Sequence, residues 1–216
     1  MPSKLSRLLT FVTGFGFGGR WGSDETHWRG SELPPYRVER HLPDEVELRR
    51  YDASLVAQVT TTGARQPALT EGFRRLAAFI FGENRAGDEI AMTAPVGQSQ
   101  TQTQSQEIAM TAPVGQSGGQ GEWVTTFTMP SKWTLATLPK PVDPGIRIRE
   151  LPPWRAAVIV FPGKADDALL KEKTEELMAA VRAEGLTVEG GPEFAFYDDP
   201  TTLPALRRNE VLVRLA

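Results

Sequence analysis

Hydrophobic periodicity along this chain changes from two residues to about 3.6 and back, twice over, and that recurrence limits the folds open to it. Residues 36–42 read as a strand and Pro43-Asp44 as a turn. Residues 46–60 read as a longer strand or a strand pair, with Leu55, Ala57 and Val59 carrying the period of two. Gly63 closes this stretch and a helix follows. Leu69, Phe73, Leu76 and Ile80 fall on one of its faces, and Gly82-Glu83-Asn84 supplies its stop. The apolar run 90–96, its copy at 108–114 and a strand at 123–129 complete the first set. After a proline-punctuated crossover at 130–144, strands at 146–151 and 155–161, a helix over 166–184, and strands at 193–197 and 210–215 repeat the order. Leu170, Leu177 and Val181 form the inner face of that helix, Asp166 or Asp167 is placed to cap it, and Gly185 to end it. A sheet face must pack against another layer. Two strand–strand–helix–strand–strand units are therefore expected to join into one α+β fold, a distorted antiparallel β-barrel with two helices and a pseudo-twofold axis. The expected organisation is a single domain over residues 34–216, with halves at about 34–130 and 145–216.

Two segments stand apart from that pattern. Residues 1–33 mix Gly, Ser and isolated aromatics without period and are expected to be a flexible N-terminal tail. The eleven residues EIAMTAPVGQS occur at 89–99 and again at 107–117, joined by a Gln/Ser/Thr tract that makes a polar insert at about 97–106. The two copies either compete for one strand slot or pair as a projecting ribbon, and the sequence leaves both open.

Composition excludes more than it suggests. There is no cysteine, which removes disulfides, thiolate metal sites and a cysteine nucleophile together. Only His27 and His41 could supply imidazole. A net charge of -3 speaks against a nucleic-acid partner. The pairs Arg49-Arg50, Arg74-Arg75 and Arg207-Arg208 each sit near acidic residues and read as solvated faces. No apolar run approaches the ~20 residues of a membrane span. Lys4 and Arg7 precede a short apolar stretch diluted by Gly14 and Gly16, a weak signal-peptide pattern. A cytoplasmic location is expected, with export or membrane-surface contact through the tail as the alternative. No nucleophile elbow, P-loop or dinucleotide fingerprint is present, and Asp198-Asp199 reads as a turn, so no enzyme is expected.

Five stretches carry a resemblance: VELRRY at 46–51, AFIFGEN at 78–84, IAMTAPV at 90–96, FTMPSKWTLATLP at 127–139 and YDDPTTLPALRRNEV at 197–211. In this order and spacing they resemble the SOUL/haem-binding protein family in its bacterial branch, over about residues 35–216. The resemblance implies a distorted β-barrel with two helices, and binding of haem or a related porphyrin in a groove beside the first helix. Apolar helix positions are kept as Leu69, Phe73, Leu76 and Ala77, and a positive charge as Arg75. Thr70 and Ala78 stand where haem-binding relatives place propionate-facing cations, and residues 51–57 contain no histidine where some relatives carry an axial one.

The candidate tetrapyrrole site is thus Leu69, Thr70, Phe73, Arg74, Arg75, Ala77, Ala78 and Phe81. It would offer a flat apolar strip with Arg74 or Arg75 reaching a propionate, and no strong axial histidine. His41 is the candidate iron ligand; His27 would need the tail to fold back. Tyr36 and Tyr51 are the phenolate alternatives, and Met92 and Met110 read as packing. The alternative reading is an effector-binding or protein-interaction domain that does not bind haem. Acidic residues in a central cleft would favour it, whereas an Arg-rimmed groove beside the helix would favour a tetrapyrrole. Oligomeric state is open.

Overall fold

A computed structural model describes residues 26–85 and 105–216. Nine strands form one antiparallel sheet: β1 (Tyr36–His41), β2 (Val46–Tyr51), β3 (Ser54–Thr62), β4 (Val114–Gly119), β5 (Glu122–Thr128), β6 (Ile146–Leu151), β7 (Trp154–Phe161), β8 (Val188–Phe196) and β9 (Asn209–Leu215). Helix α1 (Arg65–Ile80) follows β3, and α2 (Asp167–Ala183) follows β7. Across the sheet the order is β6-β3-β5-β4-β8-β9-β7-β2-β1. The sheet curls into a half-barrel with edges at β6 and β1, so the expected barrel is open.

Apart from the edge strand β1, which has no counterpart, the order is symmetric about the β4–β8 pair, and the symmetry includes an exchange. Residues 46–62 are two strands that do not pair with one another. Strand β2 pairs with β7 of the second half, and β6 pairs with β3 of the first. Each half lends its first strand to the other.

Both helices lie on one face of the sheet. Leu170, Leu177 and Val181 of α2 pack on Val46, Leu48, Ile159, Val211 and Val213, while Leu76, Phe79 and Ile80 of α1 pack on Leu55, Ala57, Val59 and Phe127. Alternate residues of the same strands face the other way, which is the period of two in three dimensions. Strand β7 is apolar from Ala156 to Phe161 because both its faces are covered there. The Asp166 carboxylate accepts from Leu169 N at 3.0 Å, and Gly185 takes the left-handed conformation after α2, φ 66°, as the sequence led one to expect. No helix among the described residues is long and apolar enough to cross a membrane.

Helix α1 is rotated from its expected setting. Its buried face is Arg65, Ala68, Gly72, Leu76, Phe79 and Ile80, so Leu69 is only half-buried and Phe73 is exposed. Gly72 sets this rotation: a Cβ there would overlap the Thr125 side chain of β5. Alanine is the better helix former by about 1 kcal/mol, but overpacking against a β-branched core residue costs about 1–3 kcal/mol. Gly72→Ala is therefore expected to lower the urea midpoint. Thr125→Ala should restore it, since the buried Thr125 hydroxyl has no hydrogen-bond partner to lose.

Of the two EIAMTAPVGQS copies, the second lies within the described residues and the first outside them, as do Met92 and Thr93. Ile108 is fully buried and its N–H donates to Ile80 O at 2.8 Å, which ties the segment to the end of α1. Strand geometry begins only at Val114; residues 108–113, read as strand from sequence, are irregular apart from a bridge at Thr111. Met110, expected as packing, is exposed. The crossover also carries a short ladder, Asn84–Arg85 with Lys140–Pro141. Residues before 34 are also described from residue 26 on. His27–Trp28 pairs with Ser31–Glu32, and Leu33 is buried. The signal-like residues 4–17 lie outside the described residues.

Candidate functional site

Helix geometry divides the eight candidate residues into two groups. Successive residues are about 100° apart around the axis, so Leu69, Phe73, Ala77 and Phe81, each four apart, wind slowly from the flank of α1 to its outward side. Phe73 and Phe81 are 38% and 59% exposed, with the half-buried Ala77 between them. Phe73 also meets the buried Phe127 edge-on at 5.6 Å, which fixes its ring. Thr70 is exposed and donates its hydroxyl back to Gln66 O at 3.1 Å. Arg74 lies beside this strip. Arg75 and Ala78 face the other flank, because residues two apart point about 200° from one another.

The two arginines differ in how firmly they are held. Arg74 donates to Glu71 through Nε at 3.0 Å and Nη2 at 2.8 Å, both side chains standing in water. Arg75 makes a bidentate pair with Asp143, Nε–Oδ2 2.7 Å and Nη2–Oδ1 2.8 Å, and Gly145 N donates to the same Oδ1. That hydrogen-bonded guanidinium holds the Asp143 carboxyl below the usual carboxylate range. Arg74, Arg75 and Ala78 share a cavity of about 160 Å³ with Glu71, Glu83 and Asp143. Three carboxylates against two guanidiniums leave this flank net acidic.

The candidate iron ligands are not brought to α1. His41 ends β1, the edge strand at the far side of the sheet from β3 and β5 on which α1 packs. His27 sits exposed in the N-terminal ladder. Tyr36 and Tyr51 lie on the opposite face of the sheet, and burial pushes both phenols up. Among the described residues no group of three or more His, Asp or Glu is arranged to hold a metal.

On that opposite face the structure places a second constellation. The Arg49 and Arg208 side chains have no exposed surface at all, which corrects the expectation that their pairs face solvent. Only Arg50 of the first pair is exposed. Arg49 Nε donates to Glu47 Oε2 at 2.7 Å, and Nη1 to Glu210 Oε1 at 3.0 Å. Arg208 Nη2 donates to the same Glu210 oxygen at 2.8 Å, and Tyr197 OH donates to the other at 2.7 Å. Burial opposes the charge on Glu210, but Arg49, Arg208 and these hydrogen bonds outweigh it and hold the carboxyl below its ordinary range. Arg49 lies over Tyr36 at 4.2 Å and Arg208 over Tyr197 at 4.4 Å. Trp28 and Arg29 close the end of the network by binding Asp198, which also accepts from Arg208 N. Asp198 is thus more than a turn former. The signal was present in sequence: in extended chain, a spacing of two puts Glu47, Arg49 and Tyr51 on one side of β2, and Arg208 and Glu210 on one side of the segment that enters β9.

Glu210 of this network lines a central cleft with Tyr36, Tyr51, Trp154 and Tyr197. Its volume is about 90 Å³, well below the roughly 300 Å³ at which small-molecule pockets begin. Glu210 is saturated and Glu193 is paired with Arg214 at 2.7 Å, so the cleft holds acids without offering a free one. Glu193 and Glu210 are nevertheless acidic residues in a central cleft, the feature that the effector-binding alternative calls for.

A family model described as SOUL heme-binding protein matches residues 31–214. No curated protein sequence matches the chain. Solved structures that share the fold include the following three. The C-terminal domain of EcmrR is 10% identical, covers 79% of this chain and 96% of its own, and gives a TM-score of 0.56. An uncharacterized conserved protein from Listeria innocua is 12% identical over 80% of this chain and 92% of its own, TM-score 0.51. EcmrR in a DNA complex is 11% identical over 85% of this chain and 58% of its own, TM-score 0.52.

Proposed function

This chain belongs to the SOUL heme-binding protein family, and from that membership we propose that it binds haem or a related tetrapyrrole, without catalysis, on the outward strip of α1. The exposure of Phe73 and Phe81 carries the reading. Eight residues of helix separate them by about 12 Å, comparable to the width of a porphyrin, and Ala77 keeps the strip between them flat. Two aromatic side chains partly left in water along one strip of a helix whose other face is packed support a binding surface there. Arg74 is the cation for a propionate, because its exposed pair with Glu71 is worth little in water and can be exchanged. Arg75 stays with Asp143. Neither histidine reaches the strip, so apolar contact carries the affinity, and iron-free porphyrin is expected to bind about as well as haemin.

Haemin titration followed at the Soret band tests this. A saturable shift in the low micromolar range is expected. Phe81→Asp should weaken it at least about tenfold, the equivalent of one aromatic side chain no longer buried, and Arg74→Ala by a few-fold. No saturable change would remove the haem reading, and an unaffected Phe81→Asp would move the site off α1.

A further inference from the structure

We propose that the slot filled by residues 107–117 is equally open to residues 89–99 of the same chain, so that the protein has two strand registers. The slot is made by fixed partners. Ile80 O receives Ile108 N–H, Glu32 O receives Ala112 N–H at 3.0 Å, and Thr128 O receives the Thr111 hydroxyl. Gln116, fully buried, donates to Arg65 O at 3.0 Å and accepts from Arg65 Nη1 at 3.3 Å. Val114 to Ser117 pair on one side with Phe127 to Val124, and on the other with Phe196 to Glu193. Every one of these contacts is made within the eleven residues that residues 89–99 reproduce without a change.

The two registers are separated only by what lies outside the eleven. Upstream, Asn84 binds the backbone N–H and carbonyl of Gln106; a backbone contact does not read the side chain, so Asp88 at the equivalent place can accept it. Downstream, Gly118 and Gly119 make the last two pairs of the β4–β5 hairpin, with Trp123 and Glu122. Gly118 has φ 127°, and a Cβ there would overlap Glu122 O. Its counterpart, Gln100, cannot take that place. The alternative register therefore gives up the tight turn at 118–121 and moves the 18-residue spacer from the α1–β4 connection to the β4–β5 connection. Loop closure depends only weakly on length, and the same length is added in either place. The bias towards 107–117 thus comes from one hairpin end and not from the slot.

Four chains and hydrogen exchange test this. Ile90→Asp alone is expected to leave the melting temperature unchanged. Ile108→Asp alone should lower it only in part, with amide protection moving from 107–117 to 89–99. The double variant should lose cooperative unfolding. A chain with 89–106 deleted, which keeps one copy, should fold, and should stop folding with Ile108→Asp. The proposal is overturned if Ile108→Asp in the full chain is as damaging as the double variant, if it is tolerated without a transfer of protection, or if the one-copy chain tolerates it.

Discussion

Glu210→Ala is expected to remove about 3–5 kcal/mol of folding stability, the range for breaking a buried ion pair by deleting one partner. The size follows from what stays behind. Arg49 and Arg208 converge on one Glu210 oxygen, and neither side chain touches solvent. Without the carboxylate, Arg49 keeps Glu47, but the buried site loses the acid that both guanidiniums share. Glu210→Gln should recover little, because an amide accepts one hydrogen bond but neutralises nothing. The pH dependence has a definite sign. A carboxyl held below its ordinary value contributes stability that is complete above the unfolded value, about 4.3 for Glu, and is lost as pH falls through the folded one. The difference between the wild-type protein and Glu210→Ala should therefore be full near neutrality and shrink below about pH 4. Guanidinium melts at two pH values measure it, and a gap that widens with acid would refute the assignment.

Asn84→Asp is the second large effect, at about 2–4 kcal/mol, because a buried carbonyl at Phe79 and a part-buried one at Gln106 lose their donor. Asn84 Nδ2 donates to Phe79 O at 2.8 Å and to Gln106 O at 2.6 Å, while Oδ1 accepts from Gln106 N at 2.9 Å. This side chain finishes α1 and holds the EIAMTAPVGQS segment against it. Aspartate keeps the acceptor and turns the donor into a carboxylate oxygen facing two carbonyls. Alanine removes all three bonds without adding repulsion, so Asn84→Ala should be the milder of the two. Thermal melts of both variants would show the order, and equal midpoints would mean that the donor is not what matters.

The readable part of this fold was its local part. The two five-element sets, the Asp166 cap and the Gly185 stop follow from periodicities and end signals a few residues wide. The missed parts depend on distant partners. Arg49-Arg50 resembles a solvated pair until Glu210, 161 positions away, is placed beside it. The setting of α1 was misjudged because Leu69 and Phe73 look like core by period, whereas Gly72 and a buried Arg65 supply the contact face. Arg65 can go inside because Gln116 and Asp167 both meet it, one on β4 and one on α2. The candidate residues on α1 were legible as a set, but their division between an apolar strip and an acidic flank required the helix to be oriented. For the duplicated segment, no property of eleven identical residues could rank the copies. A glycine beyond their end does so.

The exchange of first strands bears on the order in which the protein can be made. Strand β2 leaves the ribosome long before β7, and Arg49 long before the carboxylate that neutralises it. At about 5–20 residues per second, the 161 positions between Arg49 and Glu210 correspond to about 10–30 s of synthesis. Throughout that interval the guanidinium has only water and its strand neighbours, and the β3 edge that β6 will cover stays open. A nascent first half is therefore an unpaired template rather than a folding intermediate, and a stalled chain of that length is a natural client for chaperones.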